Sequence, residues 1–308
     1  MFFSIIVVCL NPGDKLKKTL DSIEQQSFQD YEIIIKDGIS KDGSLDYVRK
    51  LVSKWKLKGQ ESERLLENRE AASGSAAKIR ILEKKDTGIY DAMNQAVEEA
   101  AGSYVYFLNC GDCFYSENVL EKMAEFIREK ENAGMPGIFY GNIFERLTGQ
   151  QVISNPHIDA FGCYRNVPCH QACFYDTRLV KAHPFQTNYL VRADYEQFLW
   201  CFFKGGIKEN VEDGDKSCNS PGSSTAFYYT ELMIADYEGG GFSETKDNRK
   251  RSKKEHKEIT RKYIPAGQLF RFKLIMCLTL ASLRTIIAEN EKTAGIYNRL
   301  KKMLYLHR

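Results

Sequence analysis

Short apolar, β-branched runs that stop abruptly at Asn, Asp or Gly recur through the first third of this chain. Ser4–Leu10 runs into Asn11-Pro12-Gly13, Tyr31–Lys36 into Asp37-Gly38, and Tyr104–Leu108 into Asn109-Cys110-Gly111-Asp112. Such runs lack polar alternation, so they suit strands covered on both faces, as in a parallel sheet. Ile79–Leu82 is a further strand of this kind. Helical periods fill the gaps. Leu16, Leu20 and Ile23 share a face between Asp14 and Gln26, with Asp14 as N-cap, and a second helix spans Ser44 to about Lys56. Ile89, Met93, Ala96, Val97 and Ala100 share a face between Gly88 and Ala101. This alternation predicts an α/β fold with an open, mostly parallel central sheet and helices on both faces.

Residues 57–77 are polar and aperiodic, which suggests an exposed excursion. Further on, Glu117–Glu131 and Ala193–Phe203 read as helices, and Gly137–Tyr140, His170–Tyr175 and Phe227–Glu238 as extended segments. Lys208–Ser224 reads as a charged loop. The net charge of +3 hides an asymmetry. Residues 246–308 hold 17 Lys/Arg against 5 Asp/Glu, whereas residues 1–245 hold 27 against 36. An acidic body, 1–245, therefore precedes a basic, helical tail, 246–308, interrupted near Pro265. Nine cysteines in irregular spacing point to a reducing cytoplasm rather than a disulfide framework. No uncharged apolar stretch reaches the roughly 20 residues that span a bilayer.

Asp37, Asp86 and Asp112 each follow a predicted strand, and the carboxyl ends of parallel strands form the ligand crevice of open α/β sheets. Three carboxylates at one edge repel unless a cation or a donor-rich ligand sits among them. Asp-Gly is also ordinary turn chemistry, so no single position decides the matter. In Asn109-Cys-Gly-Asp112 a carboxylate stands beside Gly111, where a hard cation such as Mg²⁺ or Mn²⁺ could approach and still bind phosphate oxygens. No Walker loop or G-x-G-x-x-G fingerprint occurs. Cys110-Gly-Asp-Cys113 has the C-x-x-C spacing of a dithiol but lies inside the carboxylate motif without redox-fold surroundings, and Cys163, Cys169, His170 and Cys173 could be drawn as zinc ligands but are irregularly spaced.

The ordered combination of Ser4–Asn11, Lys36–Gly43, Glu83–Asn94 and Tyr106–Asp112 resembles the family 2 glycosyltransferases. It is most similar to the bacterial branch that builds exopolysaccharide, O-antigen and colanic-acid-type glycans. The resemblance covers roughly residues 3–245. It implies a GT-A-type nucleotide-diphospho-sugar transferase fold, with a donor half to residue 112 and an acceptor half from 113 to 245.

It also implies site residues. Cys9, Asn11 and Asp37 would hold the nucleotide base, Asp86 the base and ribose, and Asp112 a divalent metal on the diphosphate. Asn109 stands where the family commonly has a first carboxylate, and would contact ribose or a metal-bound water. Asp194, entering a helix, matches the catalytic base of an inverting transfer, with Glu196 the competing carboxylate. His170-Gln171 matches a pair lining the sugar pocket, and Gly239-Gly-Gly-Phe-Ser243 a late loop over the diphosphate or acceptor. The implied substrates are a nucleotide-diphospho-sugar, UDP-linked, and a glycan or polyprenyl-linked glycan. Two alternatives stay open: a nucleotide-sugar-binding protein without turnover, and a nucleotidyltransferase. The tail suits a membrane surface, a second subunit or its own domain; no aromatic-interleaved pattern supports nucleic acid.

Overall fold

The computed structural model describes residues 1–51, 53, 78–130, 134–205, 225–241 and 245–278. The expected excursion at 57–77 and loop at 208–224 lie outside them, as do Phe242 and Ser243. The chain divides into two compact units, Met1–Lys257 and Glu258–Arg308.

The first unit is built on a nine-stranded sheet. β1 (Phe3–Cys9) lies between β2 (Tyr31–Asp37) and β4 (Tyr104–Phe107), and β3 (Lys78–Glu83) flanks β2; all four run parallel. β1 and β2 are buried almost throughout, as their apolar centres Ile5–Val8 and Ile33–Ile35 require, and the polar Ser4, Glu32, Lys36 and Asp37 are buried with them. Beyond β4 the sheet turns mixed. β8 (Cys173–Asp176) is antiparallel to β4 and to β6 (Gly137–Glu145), and β9 (Ala226–Tyr237) is parallel to β6. β5 (Cys113–Phe114) closes the edge against β9, and β7 (Gln150–Val152) pairs with β6.

Helices α1 (Asp14–Glu24), α2 (Ile89–Glu98), α3 (Val119–Lys130), α4 (Ala160–Arg165), α5 (Thr177–Ala182) and α6 (Ala193–Phe203) belong to this unit, and residues 44–51 are also helical. Asp14 does not cap α1. Gly13 takes that position at φ +55°, where glycine carries no Cβ penalty, and Asp14 is the first helical residue. α7 (Lys246–Tyr263) and α8 (Ala266–Leu278) follow, separated at Pro265, which cannot continue a helix.

The core sets the site's frame. Tyr106 is sandwiched between Phe174 and Phe114, at centroid distances of 4.3 and 5.1 Å, and its phenol donates to the Gln171 carbonyl at 2.8 Å. That bond ties β4 to the turn before β8. His170–Ala172 is a 3₁₀ turn, not the start of a strand as its apolar neighbours suggested, because Ala172 N–H closes back on the Cys169 carbonyl.

Candidate active site

Strand register brings the first group of side chains together. Cys9 on β1 is level with Asp37 on β2, which is level with Glu83 on β3, so the carboxyl ends of three strands finish at one edge. Asp37 is fully buried; Ser40 donates to it through its N–H, at 2.7 Å, and through its hydroxyl. The Ser40 hydroxyl also accepts from Asn11 N–H at 2.7 Å, while Asn11 Oδ1 accepts from Lys41 N–H at 2.8 Å. Two strand-end loops are thereby laced together. Cys9 points at Asp37, Sγ to Oδ1 3.5 Å, and its thiol is pushed far above the usual range by the Cys110 thiol and by burial.

The cation that the carboxylate edge calls for is internal. Lys36, with no exposed surface, donates to the carbonyls of Asp37 (3.1 Å) and Lys84 (2.6 Å) and to Asp86 Oδ2 (2.7 Å). Its three N–H groups are matched by three acceptors, which a buried ammonium needs. Asp86 Oδ1 accepts from Gly88 N–H at 3.2 Å, so the residue both pairs with Lys36 and organises the entry to α2.

The second group gathers around the turn after β4. Asp112 is 3% exposed; Oδ1 accepts from Glu238 N–H at 2.9 Å and Oδ2 from Gln171 Nε2 at 3.0 Å. Burial nevertheless pushes its carboxyl above the ordinary value. The backbone at Gly111 favours glycine. It sits at φ +101°, and a Cβ would lie 2.5 Å from Glu238 Oε2, whose carboxylate passes over it to Lys15 at 2.6 Å. Asn109 Nδ2 lies 3.0 Å from His170 Nε2, and His170 Nδ1 lies 3.2 Å from Asp194 Oδ2. One neutral tautomer satisfies both contacts: Nε2 accepts from the amide and Nδ1–H donates to the carboxylate. Asn109 Oδ1 is then left buried and without a hydrogen-bond partner.

Asp194 opens α6. Oδ1 accepts from Tyr195 N–H at 2.8 Å and lies 2.9 Å from the Tyr90 hydroxyl. Its side chain is 26% exposed. Burial alone would raise its carboxyl; His170, Tyr90 and Arg192 outweigh that and hold it below the usual range, so it is an anion at neutral pH. Glu196, by contrast, has no exposed surface and faces inward to His183 Nε2 at 2.9 Å.

The segment leading into α6 is fixed from far along the chain. Glu255 on α7 accepts from the N–H groups of Leu190 (3.0 Å), Val191 (3.0 Å) and Arg192 (2.9 Å). Ser252, one turn earlier, accepts from Arg192 Nε at 2.8 Å, and His256 stacks on Tyr195 at 5.0 Å. On α2, the Asn94 amide pairs with both backbone groups of Phe185 at 2.8 and 2.9 Å.

A family model described as glycosyl transferase family 2 matches residues 4–195, the strands and turns that carry all of these side chains as far as α6. The chain belongs to glycosyl transferase family 2. A PGL/p-HBAD biosynthesis glycosyltransferase of Mycobacterium bovis is 31% identical over 245 residues, 79% of each chain. S. aureus TarS 1–349 in complex with UDP superposes with a TM-score of 0.54 at 17% identity, over 78% of this chain and 61% of that one. The same protein with UDP-GlcNAc gives 0.52 at 16%, over 86% and 72%. The fold is accordingly the GT-A-type α/β fold of these glycosyltransferases, with a C-terminal helical extension that begins at Lys246.

Within this family 2 member, the oxygen atoms near Asp112 fit a hard divalent cation. Asp112 supplies a buried carboxyl group and Asn109, three residues before it, an amide oxygen without a hydrogen-bond partner. Among the described residues no three carboxylate, imidazole or thiol groups cluster to hold an ion unaided. Mg²⁺ needs only one or two carboxylates where substrate phosphates and water complete its shell. Sequence reading missed Lys36, Tyr90, Asn94 and Glu255. Lys36 alone had a signal, since three strand-end carboxylates demand a cation. Tyr90 looks like a helix core residue, and Glu255 like one more charge in a solvated helix.

Proposed function

We propose that this chain is an inverting glycosyltransferase that moves a sugar from a UDP-sugar to a hydroxyl of a glycan or polyprenyl-linked glycan in cell-surface glycan synthesis. The observation that carries the reading is the placement of Asp194: ionised, partly exposed, and joined through His170 to the Asn109–Asp112 turn at the strand-end edge. TarS in complex with UDP and with UDP-GlcNAc, and the relative named for PGL/p-HBAD biosynthesis, support the choice of donor and setting.

On this reading residues 1–245 are the catalytic domain. Cys9, Asn11, Asp37 and Asp86 border the nucleoside, and Asn109 and His170 the ribose and sugar. Asp194 accepts the proton of the acceptor hydroxyl as its oxygen bonds to the anomeric carbon; the bond to the diphosphate breaks with its electron pair on UDP, inverting the centre. A divalent cation at Asp112, Mn²⁺ or Mg²⁺, supplies charge neutralisation at the departing diphosphate. Lys15 and Arg146 border the same turn, the latter 3.4 Å from the Gly111 carbonyl. Residues 246–308 attach the cytoplasmic enzyme to an anionic membrane surface or a second subunit. Phe270, Leu274 and Leu278 support this, being exposed at helical spacing on α8 beside Arg271 and Lys273. No helix among the described residues is long and apolar enough to cross a membrane.

The test is a thermal-shift panel of UDP-, GDP-, CMP- and dTDP-sugars with and without Mn²⁺. A UDP-sugar that raises the melting temperature more with Mn²⁺ is expected; no shift with any nucleotide sugar contradicts the donor site.

A further inference from the structure

Tyr90 offers one hydroxyl hydrogen to two acceptors. It stands on α2 with 8% of its surface exposed, its ring packed on Phe185 at 5.6 Å between centroids. Its oxygen lies 2.9 Å from the Val191 carbonyl oxygen and 2.9 Å from Asp194 Oδ1. Burial pushes the phenol's own ionisation well above the ordinary value, so the group remains O–H. The Val191 peptide is held in place, because its N–H and those on either side are all bound to the Glu255 carboxylate. With Asp194 ionised, two acceptors compete for one hydrogen. With Asp194 protonated, donors and acceptors balance.

We propose that Tyr90 is a positioning residue that keeps Asp194 hydrogen-bonded in both of its protonation states. Towards the carboxylate the phenol donates. When Oδ1 takes the acceptor's proton, that new O–H donates to the phenol oxygen, and the phenol hydrogen turns to the Val191 carbonyl. No heavy atom moves, Tyr90 neither gains nor loses a proton overall, and the Val191 carbonyl, which competes for the phenol hydrogen while Asp194 is ionised, receives it once Asp194 is protonated, which favours proton transfer. The proposal rests on Asp194 being the base of the reaction proposed above. The groups facing Asp194 are His170 from the turn before β8, Arg192 from its own N-terminal side and Tyr90 from α2. The thiols of Cys169 and Cys173 and the Tyr175 phenol, all held neutral by burial, also feel the Asp194 charge, and Glu255 acts electrostatically on Tyr90.

Tyr90→Phe keeps the ring and removes only the hydroxyl. The full chain, labelled with ¹³C at aspartate carboxyls, is titrated by NMR, with the Asp194 signal assigned by its loss in Asp194→Asn. This titration needs no donor. Both states lose a partner, but the bond to the anion is the stronger, so the Asp194 midpoint is expected to rise by about one pH unit. UDP release from a probe set of UDP-GlcNAc, UDP-glucose and UDP-galactose should slow about tenfold in kcat with KM unchanged. An unmoved midpoint together with wild-type turnover overturns the proposal, since the hydroxyl then serves only the Val191 carbonyl. If Asp194→Asn releases UDP at the wild-type rate, the base assignment fails and this proposal with it. If Asp194→Asn is inactive while Tyr90→Phe titrates and turns over as wild type, only the role of Tyr90 falls.

Discussion

The strand-end edge and the pocket around Asp194 solve the same problem, holding charged groups still, in different ways. At the edge the sheet does it. Cys9, Asp37 and Glu83 are level by register, and the lysine that neutralises the acidic cluster is the residue just before Asp37. Around Asp194 the supporting groups come from separate elements: Tyr90 from α2, His170 from a 3₁₀ turn, and Glu255 from α7, over 60 residues away. The first arrangement is set by strand register and the loops at the strand ends, the second by hydrogen bonds between elements that are not paired in the sheet. Damage to the first should cost stability and donor binding together. Damage to the second at Tyr90 or Glu255, which border no donor group, should spare donor binding and cost transfer.

The largest expected effect breaks the edge. Lys36→Met removes the ammonium from three acceptors and leaves Asp86 without its cation, which should destabilise by about 3–5 kcal/mol in urea unfolding. Adding Asp86→Asn should recover part of that loss; equal stability of the single variant and wild type would contradict the internal counterion. Next comes the pocket. Glu255→Gln can no longer accept all three N–H groups, and a loss of about 1.5–3 kcal/mol is expected. Transfer should fall while the melting shift given by the donor sugar stays as in wild type. Parallel loss of both would show that the two regions are not separable.

A smaller effect of opposite sign is expected at Ile39, a β-branched residue at φ +72° and 46% exposed in the turn beside Asp37. Ile39→Gly should relieve about 1 kcal/mol of backbone strain and raise the melting temperature, less whatever entropy the freer unfolded chain gains. If donor affinity falls as stability rises, the strain serves the site.

The smallest effect is one of pH. Asp112 has a raised folded-state value, so its contribution to stability is greatest below the ordinary carboxylate range and is lost as pH rises through that raised value. Asp194 is depressed, and its contribution is present above the ordinary range and lost as pH falls through the depressed value. The Mn²⁺-induced melting shift needs Asp112 ionised and should therefore be larger at pH 7.5 than at pH 5, with no such trend in Asp112→Asn.

The same contrast explains what could be read from sequence. β1, β2 and β4 are legible because strands buried on both faces are predominantly apolar, and Asp or Asn residues stand where the strands end. Asp194 is legible only through likeness to a family, since nothing in Ala193-Asp194-Tyr195-Glu196 says which acid faces the crevice; burial of Glu196 against His183 does. Tyr90 and Glu255 are invisible because their partners are 104 and 63 to 65 residues distant. The His170 turn misled because Gln171 and Ala172 are buried, as strand residues would be, while the backbone curls to bring the imidazole between Asn109 and Asp194.

The measurement that tests the account most directly is calorimetric titration of Asp194→Asn with Mn²⁺ and the UDP-sugar that most raises the wild-type melting temperature, alongside its transfer rate. Donor affinity within about threefold of wild type and transfer slower by about 10²–10⁴ is the predicted result. Wild-type transfer, or loss of donor binding equal to the loss of transfer, would contradict it.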